Sequence, residues 1–429
     1  MNALLSPDPL LYPSLGAPVL DFVRGAYGLL LIAMLVAALP HARRYFLSER
    51  WGGYAERGRW TDRIQHPVVM PIVLAAWLVA GLTLLLGRAV VPAAIVNVLL
   101  CRYFFVQMRW RGVLRGMGAP GFMTYWLSVA VLLLESTRRF APGLHGLALL
   151  VLQVDFAFLM LSAGVYKLSS GYRQNDGMEL GMVNPEWGYW NQFWSRRPRG
   201  SRWFRLFNEL AWGTEVIAGV LMLIPSTRFL GSVLIFVSFL FIASQIRLGF
   251  LCEMVILCCL LFAHSGSLID LALAGWLPPT AVSATPLPFV TGVLGTALWI
   301  YLGILPIARA GLAYNLYARK ALQGVLQRAL DWYVNLCGLI VWRVFSVDLV
   351  NFYVQIHEQS PTGTRRLVSE WGRSLRYRQV AESIAVTSIF TTLKYYPSRK
   401  DLFLTRLVRY ARTVPCAPGN TLVFQYISV

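Results

Sequence analysis

The fold of this chain is decided by one long apolar stretch, Leu144-His-Gly-Leu-Ala-Leu-Leu-Val-Leu-Gln-Val-Asp-Phe-Ala-Phe-Leu-Met-Leu-Ser-Ala-Gly-Val-Tyr-Lys-Leu168. A helix of about 20 apolar residues crosses the hydrocarbon core of a bilayer, so this stretch is long enough to span a membrane. Near its end lies Lys167, the only lysine among the first 319 residues. The sequence therefore predicts a membrane-spanning helix that ends in an isolated ammonium group, followed by a polar loop.

Similar apolar runs recur along most of the chain. Of the 429 residues, 57% are hydrophobic and 14% are charged, whereas soluble domains carry about 25% charged residues. We predict membrane spans at residues 19–39, 66–86, 89–106, 121–134, 144–168, 206–224, 229–246, 248–262 and 289–307. The runs at 121–134 and 248–262 are short for a full crossing, so we expect an all-α polytopic membrane bundle of about eight or nine transmembrane helices.

The composition changes after the last apolar run. Residues 317–335 have the pattern of a basic amphipathic helix, and residues 344–356, 364–370 and 421–429 have the β-branched and aromatic pattern of strands. Helices are expected at 376–393 and 400–412. We therefore predict a transmembrane domain at residues 1–315, an amphipathic connecting helix at 316–340, and a small α+β soluble domain at 341–429.

The formal net charge of +19 does not indicate nucleic acid binding. The arginines concentrate in short loops between apolar runs, where positive charge sets topology and meets anionic headgroups. Loops 41–65, 108–120 and 169–205 contain six, three and six arginines, whereas the opposite turns contain four. The positive-inside rule then places these loops and the C-terminal domain in the cytoplasm, and the lipid bilayer is the expected partner of the spans.

Ionisable residues inside the spans need partners. Asp155 and Lys167 lie twelve residues apart, about 18 Å along one helix, so they cannot pair with each other. Each must therefore find a partner on another helix or face water, because an unpaired buried charge is costly. Glu209 and Glu215, on the following span, are the natural acids for Lys167.

Two uses are open for these intramembrane groups. They can tie helices together as a buried polar cluster, or they can act chemically, because a lysine desolvated enough to lose its proton near neutral pH becomes a general base. In the second interpretation the candidate catalytic residues are Lys167 as the base, Glu215, Glu209 and Asp155. The candidate ligand-binding residues are Tyr166, Trp187, Trp190 and Arg247.

Loop 169–205 interleaves charged residues with six aromatic side chains from Trp187 to Trp203. One interpretation is a segment that lies in the headgroup region. The other is a lid over a pocket near Lys167. This loop and the C-terminal domain are also the two surfaces at which we expect a protein partner.

Residues of other types give less information. Asp21 and Arg24, three residues apart, are predicted to pair on the first helix. The five histidines have no metal-ligand spacing and the six cysteines form no Cys-x-x-Cys pair, so neither a metal site nor a disulfide framework is predicted. No motif of a soluble enzyme class is present.

A family resemblance rests on four segments in order: residues 156–168, the Asn184-Pro-Glu-Trp-Gly-Tyr-Trp loop, Asn208-Glu-Leu with Glu215, and residues 238–254. Together they resemble the core of the HTTM superfamily, which includes vitamin K-dependent γ-glutamyl carboxylase and the lipase maturation factors. Ala163-Gly-Val-Tyr-Lys-Leu168 is similar to the carboxylase segment Ala-Gly-Val-Lys-Lys-Leu, with Lys167 at its second lysine and Tyr166 at its first. The loop and the acid-bearing helix after it are more similar to the lipase maturation factors.

The resemblance implies a reaction and the side of the membrane on which it occurs. It implies that Lys167 is a base in a carboxylase-like or redox-coupled membrane enzyme, with a quinone or a lipid as the molecule bound. It also implies that the lysine-bearing end faces the lumen or periplasm, opposite to the arginine count. A non-catalytic maturation or accessory factor, or a subunit of a membrane complex, is the alternative. The preference for arginine over lysine indicates a bacterial protein, which we expect in the cytoplasmic (inner) membrane.

Overall fold

The computed structural model describes residues 12–58, 61–108, 118–169, 172, 176–277, 283–318, 320–338, 350–369, 376–395 and 397–429. Within these residues the chain is a helical bundle followed by a small α+β unit. The helices are α1 Ala17–Ala38, α2 Ala42–Phe46, α3 Val69–Leu86, α4 Val90–Cys101, α5 Gly118–Phe140, α6 His145–Ser169, α7 Gly177–Val183, α8 Asn191–Trp194, α9 Arg202–Leu223, α10 Arg228–Gln245, α11 Leu251–Leu260, α12 Leu268–Ala274, α13 Pro288–Tyr317, α14 Gly324–Cys337, α15 Arg376–Tyr395 and α16 Lys400–Ala411.

Seven helical segments of the described chain are long and apolar enough to cross a membrane. They are Ala17–Phe46, Val69–Leu86, Val90–Gln107, Pro142–Ser169, Arg202–Leu223, Arg228–Gln245 and Pro288–Tyr317. They correspond to seven of the nine predicted runs, and the remaining two are the runs that looked short. One of those is α11, which has 10 residues. The other is α5, which is longer than its apolar run because Glu135 and Arg138 continue the helix.

Ion pairs explain why α5 extends past its apolar run. Arg24 donates to Asp21 at 2.7 Å and to Glu135 at 3.1 Å, and Arg138 donates to Asp21 at 2.9 Å. The predicted pairing of Asp21 with Arg24 is confirmed. The acid and the arginine of α5 complete a buried network that links α1 to α5, and loss of one partner would leave an uncompensated buried charge.

Helix α6 lies inside the bundle and packs closely on α9. A Cβ atom on Gly164 would lie 2.7 Å from Val216 Cγ2, and one on Gly219 would lie 2.8 Å from the Cβ of Leu161. Glycines at a helix interface let the two backbones approach, which is a common solution in membrane bundles. This approach brings the end of α6 against the polar face of α9.

The C-terminal unit contains a three-stranded antiparallel sheet in the order β2-β1-β3, with β1 Phe352–Gln359, β2 Arg365–Leu367 and β3 Thr421–Ser428. The predicted helices at 376–393 and 400–412 and the last strand are confirmed. The first strand continues past its predicted end at residue 356 because Glu358 is held by Arg366 and by the Ala417 N–H. Residues 344–349 of that prediction lie outside the described residues.

The predicted helix at 317–335 was wrong at its start. Helix α13 continues to Tyr317, and α14 begins only at Gly324. The side chains of Leu330 and Tyr333 then fold α14 back along α13. The Tyr333 hydroxyl bonds the Tyr301 carbonyl at 3.4 Å.

The C-terminal unit contacts two loops of the bundle. Arg44 Nε donates to Thr413 Oγ1 at 2.8 Å, and its guanidinium lies 4.6 Å from the centre of the Tyr410 ring. Asn184 Nδ2 donates to the carbonyls of Val350 and Phe352 at 2.9 and 3.2 Å. The loops after α1 and α7 therefore meet the C-terminal unit at one end of the bundle.

Candidate functional site

Lys167 lies at the end of α6 and is almost completely buried, with 2% of its surface exposed. Its Nζ donates to Glu215 Oε1 at 2.7 Å and to the Ala211 carbonyl at 3.4 Å. Both acceptors belong to α9. The prediction that Lys167 takes its partner from another helix is confirmed, and Glu215 is that partner.

Tyr172 lies against this pair. Its ring centre is 5.7 Å from Lys167 Nζ, and its backbone N–H donates to the Lys167 carbonyl at 3.1 Å. The ring is fully buried. Burial, and then the Glu215 carboxylate, raise the pKa of Tyr172 well above its usual value, so the hydroxyl keeps its proton. Tyr172 therefore offers a hydrogen-bond donor beside the ion pair.

Two polar atoms of this group have no hydrogen-bond partner among the described residues. They are the Tyr172 hydroxyl and Glu215 Oε2, and both are buried. A buried polar atom without a partner is destabilising by about 1–3 kcal/mol, and native proteins leave few of them. The Lys167 group thus holds one donor and one acceptor that no described residue bonds.

The polar face of α9 also fixes the chain that follows α6. Asn208 lies seven residues before Glu215, so both are on one side of the helix. Asn208 Oδ1 accepts a bond of 2.7 Å from the N–H of Met178, at the start of α7. Glu209 is half-buried and lies about 120° around the helix from Glu215. Of the two predicted acids, Glu215 alone is in the Lys167 pair that the described residues form.

Asp155 belongs to a separate site, about 18 Å along α6. Its Oδ1 accepts from Arg309 Nη2 at 2.9 Å, and its Oδ2 accepts from Trp126 Nε1 at 2.8 Å. Both carboxylate oxygens are therefore bonded. The structure does not bring Asp155 to Lys167, and sequence reasoning did not identify Arg309 as its partner.

The predicted ligand-binding residues are spread over several places. Tyr166 is buried on α6, next to Lys167 in the chain. Arg247 Nη1 donates to the Pro185 carbonyl at 2.9 Å, and its guanidinium lies 5.0 Å from the centre of the Tyr189 ring. Arg247 therefore secures the loop after α7, and the aromatic group found against Lys167 is Tyr172.

The aromatic segment itself is divided between an inner and an outer part. Trp187 is buried, whereas Trp190 is 57% exposed and its Nε1 donates to the Ser244 carbonyl at 3.0 Å. The inner part also contains Glu186, which is 2% exposed. Burial raises the pKa of Glu186 to about 8, although the Ser383 hydroxyl and the Val354 N–H lower it. Neither Tyr172 nor Glu186 was a candidate in the sequence, because their burial depends on how the loops fold.

Among the described residues no three His, Cys, Asp or Glu side chains are close enough to hold a metal ion. The side chains that the structure brings together at Lys167 are an amine, a carboxyl group and a phenol. Comparison with protein-family models, with curated proteins and with solved structures finds no match for this chain.

Proposed function

We propose that this integral membrane protein is an enzyme of the HTTM type and that Lys167 is its base. The observation that supports the proposal best is the buried pair of Lys167 with Glu215, which lies against a protonated Tyr172. A structural ion pair satisfies its own oxygens, whereas this one leaves Glu215 Oε2 without a described partner. The spare acceptor and the Tyr172 donor suit a polar headgroup at the end of a span.

The pair can move a proton within itself. Lys167 Nζ and Glu215 Oε1 are 2.7 Å apart, so a proton passes between them without rearrangement of the chain. In a medium of low dielectric, a neutral amine beside a neutral carboxylic acid avoids the desolvation penalty of two charges. Transfer to Glu215 therefore leaves Lys167 as a neutral amine with a lone pair, which is the form that acts as a base.

The molecule that loses a proton is, in this proposal, a quinol or a lipid with an acidic headgroup. A quinol, when bound, supplies a phenolic hydroxyl as the acid. The chain provides three things for it: Lys167 accepts the proton, Tyr172 donates a hydrogen bond to the developing oxyanion, and the apolar helices exclude water. Stabilising the charge that develops in the reaction is usually the largest contribution an enzyme makes.

Quinol chemistry can be tested with menadiol as the probe, because its anion reacts with oxygen faster than its neutral form. We expect the purified protein to accelerate oxygen uptake by menadiol, and K167M and K167R to abolish the acceleration. Arginine keeps the charge but does not act as a base near neutral pH. R309M, which breaks the other buried pair of α6, is the matched control and retains the acceleration per folded molecule. Full rates in both Lys167 variants would overturn the proposal.

We further propose that the chain lies in a bacterial cytoplasmic membrane with its C-terminal unit in the cytoplasm, as the arginine count indicates. Cys416 is exposed on that unit, whereas the other cysteines are buried or half-buried. A membrane-impermeant maleimide should therefore leave intact cells unlabelled and label Cys416 after lysis, with C416S as the control. Labelling of intact cells would reverse the orientation.

A non-catalytic accessory factor is the second candidate, and one observation favours it. Strand β3 is an edge strand, Thr421-Leu-Val-Phe-Gln-Tyr-Ile-Ser428, without a charged residue. Edge strands of this kind accept a further strand from a partner, and charges or prolines usually protect them. In this case T421K with Q425K removes a co-purifying partner while K167M retains it. The enzyme hypothesis predicts that K167M abolishes the acceleration of menadiol oxidation, whereas T421K with Q425K leaves it unchanged.

A further inference from the structure

Residues 190–205, from the residue before α8 to the first turn of α9, form a surface that the Lys167 site does not use. We call it the arginine–aromatic patch. Its members are Trp190, Phe193, Arg196, Arg197, Arg199, Arg202, Trp203 and Arg205, all of them exposed. No acidic residue occurs between Trp190 and Phe207. The patch therefore combines five positive charges with three exposed aromatic rings.

The patch is fixed at the place where two spans leave the bilayer. Helix α9 begins at Arg202 and α10 ends at Gln245, and both helices are long and apolar enough to cross a membrane. Trp190 Nε1 donates to the Ser244 carbonyl at 3.0 Å, and Trp194 Nε1 donates to Gln245 Oε1 at 3.1 Å. These two bonds hold the aromatic segment against the end of α10, at the depth where a membrane has its headgroups.

The exposed rings are paired with arginines. The Arg197 guanidinium lies 5.2 Å from the centre of the Phe193 ring, and that of Arg202 lies 5.7 Å from the Trp203 ring. Phe193 is 50% exposed and Trp203 is 46% exposed. Aromatic rings at this depth are typical of a membrane interface, and the planar guanidinium binds phosphate through two parallel hydrogen bonds.

The positive charges of the patch are not paired with acidic side chains of the described residues. None of its five arginines forms an ion pair with a described side chain, although Arg199 lies near an acid, Glu179. The opposite end of the α9–α10 hairpin differs, because its turn carries a single arginine, Arg228, which donates to Gln153 Oε1 at 3.0 Å. Unpaired positive charge is therefore concentrated at one end of the hairpin.

We propose that the arginine–aromatic patch binds the headgroups of anionic phospholipids in the leaflet at the Lys167 end of the bundle. The aromatic rings lie among the upper acyl chains, and the arginines bind the phosphates. Each arginine near an anionic surface strengthens binding about fivefold. A neutral zwitterionic lipid offers the same acyl chains but no net charge, so the patch distinguishes lipids by charge.

The test compares two triple variants of the full chain that lose the same charge. R196Q/R197Q/R202Q removes three patch arginines, and R365Q/R399Q/R412Q removes three exposed arginines of the C-terminal unit. Native mass spectrometry in detergent then measures the binding of phosphatidylglycerol and of phosphatidylcholine. We expect the patch variant to bind the first phosphatidylglycerol molecules about 100-fold more weakly, and the control variant to bind them as the native chain does.

Several outcomes would overturn the proposal. Equal loss in both variants means that net charge alone attracts the lipid. Equal affinity for the two phospholipids, or full competition by inorganic phosphate at the lipid concentration, means that no anionic membrane surface is recognised. Thermal unfolding without added lipid shows whether the patch variant is folded. Should it be unstable, R197Q and R202Q alone each provide the comparison, with an expected loss of about fivefold.

Discussion

Helix α6 carries two buried ion pairs whose carboxylates differ in how many of their oxygens are bonded. At Asp155 both carboxylate oxygens are bonded, one by Arg309 and one by Trp126. At Lys167 the partner is Glu215, whose Oε1 is bonded at 2.7 Å while Oε2 has no partner among the described residues. Both pairs are almost inaccessible to water. The difference therefore lies in hydrogen bonding and not in burial.

This difference distinguishes the Asp155 pair, which we interpret as structural, from the Lys167 pair, which we propose to be reactive. A buried carboxylate with all of its bonds made has nothing left to offer a ligand, and its partners bind it in one arrangement. A carboxylate with a spare oxygen, beside a phenol with a spare donor, can bind a further group without breaking any bond. The same helix thus holds an ion pair that ties α6 to α13 and another for which we propose proton transfer.

Breaking the Asp155–Arg309 pair should have the largest effect on the free energy of unfolding. D155L leaves the Arg309 guanidinium buried and Trp126 without its acceptor, so we expect the free energy of unfolding to fall by about 3–5 kcal/mol. Replacing both charges, as D155L/R309M, should recover most of that loss. Unfolding by heat or denaturant in detergent micelles measures it. A loss below about 1 kcal/mol in D155L would contradict the structural assignment.

Breaking the Lys167 pair should lower the free energy of unfolding less than breaking the Asp155 pair does. It should lower the activity more. K167M leaves Glu215 alone, and an isolated buried carboxyl group becomes neutral by taking up a proton. Because its second oxygen already lacks a partner, we expect a loss of about 2–3 kcal/mol, below the cost of D155L. The same variant loses menadiol oxidation completely. E215Q keeps the shape of the side chain but cannot receive the proton of Lys167, so we expect it to lose the acceleration of menadiol oxidation as well.

The sequence was informative about spans and helix spacing and uninformative about tertiary partners. The twelve-residue separation of Asp155 and Lys167 excluded their pairing and pointed to α9, because distances along a helix are fixed. Arg309 is 154 residues from Asp155 in the chain, and nothing in a local pattern connects them. The burial of Tyr172 and of Glu186 depends on how their loops fold, and no local sequence pattern predicts it. Glu186 is two residues from Asn184, which attaches its loop to β1 of the C-terminal unit.

A third buried acid, Glu186, can be compared with Asp155 and Glu215. It lies in the loop after α7 and not in a membrane-spanning helix. It forms no ion pair with a described residue, and burial raises its pKa to about 8 from the ordinary value of 4.5. Between these two values the folded protein holds a proton that the unfolded chain has lost, so stability falls as pH rises from 4.5 to about 8. The slope is at most about 1.4 kcal/mol per pH unit. E186Q should remove it, as unfolding at pH 6, 7 and 8 will show.

The matched control for that slope is E56Q. Glu56 is a partly exposed acid near Arg409 at the same end of the bundle. Its replacement also exchanges one carboxyl group for an amide, but that carboxyl group is not a buried one. We therefore expect E56Q to keep the pH dependence of the native chain. If E56Q and E186Q flatten the curve equally, the effect belongs to net charge and not to the buried site.

The smallest loss of stability is the sharpest test of the comparison, and it uses two aromatic substitutions. Y172F removes a buried hydroxyl that bonds no described residue, so we expect the free energy of unfolding not to fall, and to rise by at most about 1–3 kcal/mol. W126F removes the bond of 2.8 Å to Asp155 and should be destabilising by about 1.5–3 kcal/mol, because its acceptor is charged. Activity should follow the reverse order. Y172F loses the donor beside Lys167 and oxidises menadiol more slowly per folded molecule, whereas W126F keeps the native rate. Equal destabilisation by both variants would mean that the Tyr172 hydroxyl is already bonded in the protein, and the Lys167 pair would then be as structural as that of Asp155.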